Sequence, residues 1–164
     1  MSNGIQLIPV TTAAQVADVA RMAHQVWNKH YVPLIGQAQV DYMVAKFQSP
    51  EAMQAQIDSG YEYFQMRQGG EDVGYAAIRH DAAEARVFLS KLYVLASSRK
   101  SGAGRQSLAL IDHMARERGA THLWLTVNKA NPSVQAYQHL GFKIVEAMVV
   151  DIGGGYVMDD YKME

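Results

Sequence analysis

From Arg99 to Arg105 the chain reads Arg-Lys-Ser-Gly-Ala-Gly-Arg, with two glycines one residue apart among three basic side chains. Glycine lets backbone come close to a ligand, and the free N–H groups at the start of a helix attract negative charge. Arg and Lys add charge-assisted hydrogen bonds to phosphate oxygens. The chemistry indicated is a cradle for the pyrophosphate of a nucleotide-like molecule, built from Arg99, Lys100, Ser101, Gly102, Ala103, Gly104 and Arg105. A glycine pair alone serves equally to turn a chain, so its setting matters. Two other nucleotide motifs can be tested directly. A P-loop needs Gly-x-x-x-x-Gly-Lys-Ser/Thr, which does not occur, and a Rossmann fingerprint needs an acid near the end of the next strand, where this chain has Leu125-Thr126-Val127-Asn128.

The second chemical candidate is Tyr137. A phenol with an ordinary pKa of about 10 stays protonated at neutral pH and can give up a proton on demand. On a helical wheel Tyr137 lies between Val134 and Leu140, a position equally suited to a packed core tyrosine. Asn131, just before Pro132, is a preferred helix cap. The chain has no cysteine, which excludes disulfides, thiolate metal sites and a cysteine nucleophile.

Positioning these residues requires a sheet with helices. Ile5, Leu7 and Val10 form an extended segment. Thr11 or Thr12 then caps a helix carrying Val16, Val19, Ala20, Ala23 and Trp27. Pro33 and Gly36 break that helix. Val40, Met43, Val44 and Phe47 mark a second one, and Ser49-Pro50-Glu51 starts a short third. Tyr61 to Arg67 and Val73 to Ile78 spell a hairpin about a Gly-Gly turn, followed by a strand from Val87 to Val94. After the glycine loop a helix runs to Arg118 and Gly119. A strand from His122 to Val127, a helix opened by Asn131-Pro132-Ser133, and strands from Phe142 to Val150 and Tyr156 to Met163 complete the chain. An antiparallel first half and a strand-helix-strand second half predict an α/β fold, a mixed sheet with helices on both faces.

A length of 164 residues fits one domain, 1–164, and 49% hydrophobic against 19% charged residues supports a packed core. A formal net charge of -1 gives no positive field for nucleic acid. No apolar run reaches the roughly 18–20 residues of a membrane span. The opening Met-Ser-Asn-Gly lacks a secretory pattern, so a cytoplasmic protein is expected.

Arg99-x-x-Gly102-x-Gly104, following a strand that ends Lys91-Leu92-Tyr93-Val94, resembles the acetyl-CoA signature of the GNAT N-acetyltransferases. Asn131-Pro132-Ser133-Val134-Gln135-Ala136-Tyr137-Gln138-His139-Leu140-Gly141-Phe142 resembles their second signature. The resemblance spans nearly the whole chain. It implies a twisted mixed sheet of about seven strands, splayed between the fourth and fifth. It further implies that backbone at Leu92, Tyr93 and Val94 binds the pantetheine arm of acetyl-CoA, that amides from Lys100 to Gly104 hold its pyrophosphate, and that Asn131 contacts it or fixes the helix entrance.

By the same resemblance Tyr137 is the general acid that protonates the departing CoA thiolate. The backbone N–H of Leu92 would stabilise the oxyanion. The implied reaction is direct acetyl transfer to a primary amine in a ternary complex without a metal. Trp27, His30, Tyr31, Tyr61 and Tyr63 supply aromatic surface for the acceptor, with Trp27, Tyr31 and Tyr63 foremost. The run from Asp151 to Glu164 resembles the tail of polyamine-acetyltransferase-like members. Where some members place a carboxylate base, this chain has Ser90 and Lys91, which leaves Asp159, Asp160, Glu84, His80 or a water chain for that role. A non-catalytic CoA-binding regulatory module is the alternative, and the presence of Tyr137 argues against it. Exposed edge strands of such a sheet leave a homodimer open.

Overall fold

Alternation decides which side chains each strand buries on which side. In the strand from Glu71 to Asp81, Ala76 and Ile78 face one apolar cluster while Tyr75 and Ala77 face another. Both faces are buried, so the segment reads as an unbroken apolar run. The computed structural model describes residues 4–164, except for the side chains of Arg99 and Lys100.

Seven strands, β1 (Ile5–Pro9), β2 (Glu62–Gln68), β3 (Glu71–Asp81), β4 (Arg86–Val94), β5 (His122–Asn128), β6 (Ile144–Gly153) and β7 (Tyr156–Met163), form a sheet in the order β1-β2-β3-β4-β5-β7-β6. The β4–β5 pair is parallel and the other pairs are antiparallel. The first face is covered by α1 (Ala13–His30), α2 (Val32–Ile35), α3 (Gln37–Phe47) and α4 (Pro50–Asp58), which bury Val19, Ala23, Trp27, Val40, Met43 and Met53. The opposite face carries α5 (Ala103–Glu117), whose Leu108, Ile111 and Ala115 pack on Phe64, Ala76, Ile78 and Val87. A short α6 (Ser133–His139) follows β5 and ends before the turn at Gly141. The α/β mixed sheet with helices on both faces is therefore observed.

Local chemistry explains the boundaries. Thr12, rather than Thr11, caps α1. Its hydroxyl accepts from the Gln15 N–H at 3.2 Å, while the Gln15 side-chain oxygen accepts from the Thr12 N–H at 3.0 Å. Pro33 does not simply break the chain, because it sits in the first turn of α2, where a missing N–H costs no helix bond. The residues before Gly102 form a 3-10 turn, Ala96–Ser101, instead of an open loop. β6 begins at Ile144 rather than Phe142, since the Phe142 N–H donates to the Tyr137 carbonyl and closes α6.

The β4–β5 pairing is short. Only Arg86, Val87 and Phe88 face His122, Leu123 and Trp124, and the stacked rings of Phe88 and Trp124, 4.2 Å apart, close that end. Beyond it β5 pairs with β7 from Leu125 to Asn128, and β4 runs on to Val94 beside β3 alone. Among the described residues no helix is long and apolar enough to cross a membrane, and no group of three His, Asp or Glu side chains could hold a metal ion.

Candidate active site

A β-bulge starts the opening. Across β3, Leu89 faces Ile78 and Lys91 faces Ala77, so Ser90 has no partner. The extra residue bends the strand and increases its twist. It also shifts the alternation, so that Leu89 and Leu92 share the α5 face while Lys91 and Tyr93 turn toward α1–α4. A cavity of about 570 Å³ lies between the separated strands. Ser90, Leu92, Tyr93 and Val94 line it from β4, Leu125 to Asn128 from β5, and Gly102, Gly104 and Arg105 from the start of α5.

The α5 end of the cavity suits an anion. Gly102 caps the helix with φ +81°, a left-handed conformation that side-chain-bearing residues adopt at a cost, and its carbonyl accepts from the Gln106 N–H at 2.9 Å. The first amides of a helix have no acceptor within it and, with the helix dipole, favour negative charge. Gly104 brings the helix close to β4: a Cβ there would lie 3.5 Å from a Val94 methyl. The other loop residues divide. Ser101 is exposed, its hydroxyl donating to the Ser98 carbonyl at 2.6 Å, and Ala103 is buried in the core. The side chains of Arg99 and Lys100 lie outside the described residues.

Tyr137 reaches the same cavity from α6. Its ring packs edge-on against Phe142, with centroids 5.7 Å apart, while its hydroxyl makes no hydrogen bond to any described residue. Burial, assisted by neighbouring Tyr31, pushes the phenol well above its ordinary pKa, so the proton is retained throughout the neutral range.

Asn131 is buried, and its side chain is used on three sides. The Oδ1 atom accepts from the Ser133 N–H at 2.9 Å and lies 3.3 Å from His30 Nε2, while Nδ2 donates to the Tyr31 hydroxyl at 3.0 Å. These bonds hold Asn131 at the entrance of α6, in the cavity wall. Trp27 and Tyr31 stack at 4.3 Å in the cavity wall, with the Tyr93 ring edge-on to both.

Tyr63 lies apart from Trp27 and Tyr31. It is absent from the cavity wall and only 2% exposed, because β2 turns its ring beneath α4. Its hydroxyl donates to Gln56 Oε1 at 2.5 Å and also accepts from Lys91 Nζ. Tyr61 lies apart as well, under the Arg79 guanidinium.

The acids separate in the same way. Glu84 is exposed in the β3–β4 turn, and Asp159 pairs with Lys129 at 2.6 Å. Asp160, 4% exposed, lies in the cavity wall, and burial, with a smaller contribution from Asp159, raises its pKa to about 6 against the opposing effect of Lys129. His80 faces Val87 across β3, away from the opening. Thr126, Asn128, Gln39 and Met43 also line the cavity. No local pattern marks them, since α3 meets β5 and β7 only through tertiary packing.

A family model described as an acetyltransferase (GNAT) domain matches residues 31–159. Streptothricin acetyltransferase of Streptomyces lavendulae is 38% identical over 74 residues, which make up 44% of this chain and 39% of that protein. This chain therefore matches well under half the length of that relative. Among solved structures, an acetyltransferase from Thermus thermophilus is 25% identical, with a TM-score of 0.66 over 97% of this chain and 96% of that one. The PaiA N-acetyltransferase of Thermoplasma acidophilum, solved in complex with coenzyme A, shares the fold with a TM-score of 0.79 at 16% identity, over 99% and 98% of the two chains.

Proposed function

The chain belongs to the GNAT acetyltransferase family, and from that membership we propose that it transfers the acetyl group of acetyl-CoA directly to a primary amine. The observation that carries this reading is the parting of β4 from β5 after Phe88 and Trp124, with the α5 N-terminus and Tyr137 opening onto one cavity. Acetyl-CoA fits the donors present. Amides of Gly102, Ala103, Gly104 and Arg105 suit its pyrophosphate, and the stretch of β4 from Leu92 to Val94, which lines the cavity beyond the β4–β5 pairing, suits the amide-bearing pantetheine arm.

The reaction needs three contributions. An uncharged amine attacks the thioester carbonyl, an N–H of the bulged strand, that of Leu92, stabilises the oxyanion, and Tyr137 donates a proton to the departing sulfur. A sequential ternary complex suits a chain with no cysteine to carry the acetyl group. The relative named for streptothricin supports a small-molecule acceptor. The test is release of free CoA with an amine panel including spermidine. Turnover that falls at least tenfold in Tyr137→Phe supports the assignment, whereas saturable acetyl-CoA binding without turnover would make the chain a CoA-binding module.

A second copy is the proposed partner of β6. That edge strand leaves Val145, Val149 and Val150 exposed, Val149 at 64%, beside unpaired backbone. Light scattering tests the dimer, with Val149→Lys expected to shift it toward monomer.

A further inference from the structure

We propose that Asp160 receives the acceptor's ammonium group and takes its proton, so that it is the general base of the reaction and selects a primary amine carried on an apolar chain. This rests on the transferase reading above. Among the described residues lining the cavity, Asp160 is the only carboxylate. Its backbone is held in the sheet by β5 and β6, while its carboxylate, in the cavity wall, makes no hydrogen bond or ion pair with a described residue, although the residue is 4% exposed. A buried carboxylate without a partner costs folding free energy, and a cationic ligand offsets that cost when bound.

Its place in the fold supports the role. Asp160 faces Asn128 across β5 and Met148 across β6, at the point where β5 has left β4. Along β7 it alternates with Tyr161, which packs on the α5 cluster, and it shares parity with Met158, which packs on the α1–α4 cluster. The carboxylate thus belongs to the face that carries Trp27 and Tyr31, whose stacked rings offer a surface for a cation. Met43 and Met158 add apolar wall for a carbon chain.

The neighbouring charges are compatible with this role. Asp159 disfavours ionisation of Asp160, Lys129 favours it, and Lys129 is itself paired with Asp159. The other titratable groups lining the cavity are His30, Tyr31, Tyr93, Arg105, Tyr137 and His139. Burial raises the Asp160 pKa to about 6, which makes it a stronger base than an ordinary carboxylate while leaving it ionised at pH 7.

Protons balance as follows. The ammonium loses one proton to the Asp160 carboxylate, and the amine lone pair then forms the C–N bond to the acetyl carbon. The C–S bond breaks with its electron pair on sulfur, which takes the Tyr137 proton. The second proton leaving the nitrogen restores the phenol through water, and Asp160 releases its own proton to solvent. The net products are the amide, CoA thiol and one proton.

The experiment compares the unaltered chain with Asp160→Asn, using acetyl-CoA with n-butylamine, putrescine and spermidine. The expected result is a loss of kcat/KM for amine of at least tenfold, on the order of what a general base contributes. Acetyl-CoA affinity should stay within twofold, and the acidic limb near pH 6 in the unaltered protein should disappear. The melting temperature of Asp160→Asn should not fall, because an unpaired buried charge has been removed. Retained kcat/KM with the same acidic limb overturns the role of Asp160 and leaves the transferase reading standing. A parallel loss of acetyl-CoA affinity also overturns it, by assigning Asp160 to the cofactor side. No CoA release by the unaltered chain with any amine overturns the transferase reading itself.

Discussion

The side-chain amide of Asn131 donates to the hydroxyl of Tyr31 at 3.0 Å, joining residues 100 positions apart in the chain. This bond ties the entrance of α6 to the end of α1, so the helix bearing Tyr137 and the stack of Trp27 on Tyr31 form one wall. Replacing Asn131 with Ala removes this bond and the acceptor of the Ser133 N–H. Urea unfolding should show a loss of about 1–2 kcal/mol. The KM for acetyl-CoA and amine should rise together, as both sides of the cleft lose their common tie.

Tyr137→Phe keeps the ring against Phe142 and removes a hydroxyl that bonds no described residue. Stability should therefore change by less than about 0.5 kcal/mol. On the proposed role of Tyr137 as general acid, kcat should fall by roughly 100-fold. Calorimetry beside steady-state kinetics separates the two effects, and an equal fall in melting temperature would assign Tyr137 to packing.

Lys91 provides a test of pH dependence. Its ammonium donates to the Phe47 carbonyl at 2.6 Å, to Gln56 Oε1 at 3.1 Å and to the Tyr63 hydroxyl, with no carboxylate beside it. Burial lowers its pKa from 10.5 to about 7. Between these values the unfolded chain holds a proton that the folded chain has released, so the Lys91 contribution to stability rises with pH from about 7 to 10.5. Lys91→Met should remove that rise, and denaturation midpoints measured at pH 7 and pH 9.5 check it.

Gly102 tests the anion cradle. At φ +81° a β-branched side chain is strained, so Gly102→Val should cost roughly 1–2 kcal/mol and weaken acetyl-CoA binding. Gly102→Asn, a residue that tolerates left-handed backbone, should retain most of both. Equal losses in the two variants would point to space rather than backbone conformation as the constraint, although the nearest atom to a Cβ at this position is Gln106 Nε2, 3.5 Å away.

Much of the architecture is written in local order. The apolar run from Val73 to Ile78, helical spacing from Val16 to Trp27 and the glycines after α5 and α6 act over a few residues, so the sequence by itself determined the order of strands and helices. The Arg99 to Gly104 loop and the Asn131 to Phe142 segment likewise placed two walls of the cavity, because each motif is contiguous. Tertiary structure decided what depends on distant partners. Tyr61, Tyr63, Trp27 and Tyr31 look equivalent as aromatics, yet only Trp27 and Tyr31 line the cavity, because β2 pairs with β3 in a register that turns Tyr63 beneath α4. Asp159 and Asp160 are neighbours in sequence, and the pleat of β7 sends the first to Lys129 and the second into the cleft. The unpaired Ser90 depends on hydrogen bonding to β3 and carries no local signal. Burial and strand register are properties of the assembled chain, and they distinguish residues whose chemistry in isolation is the same.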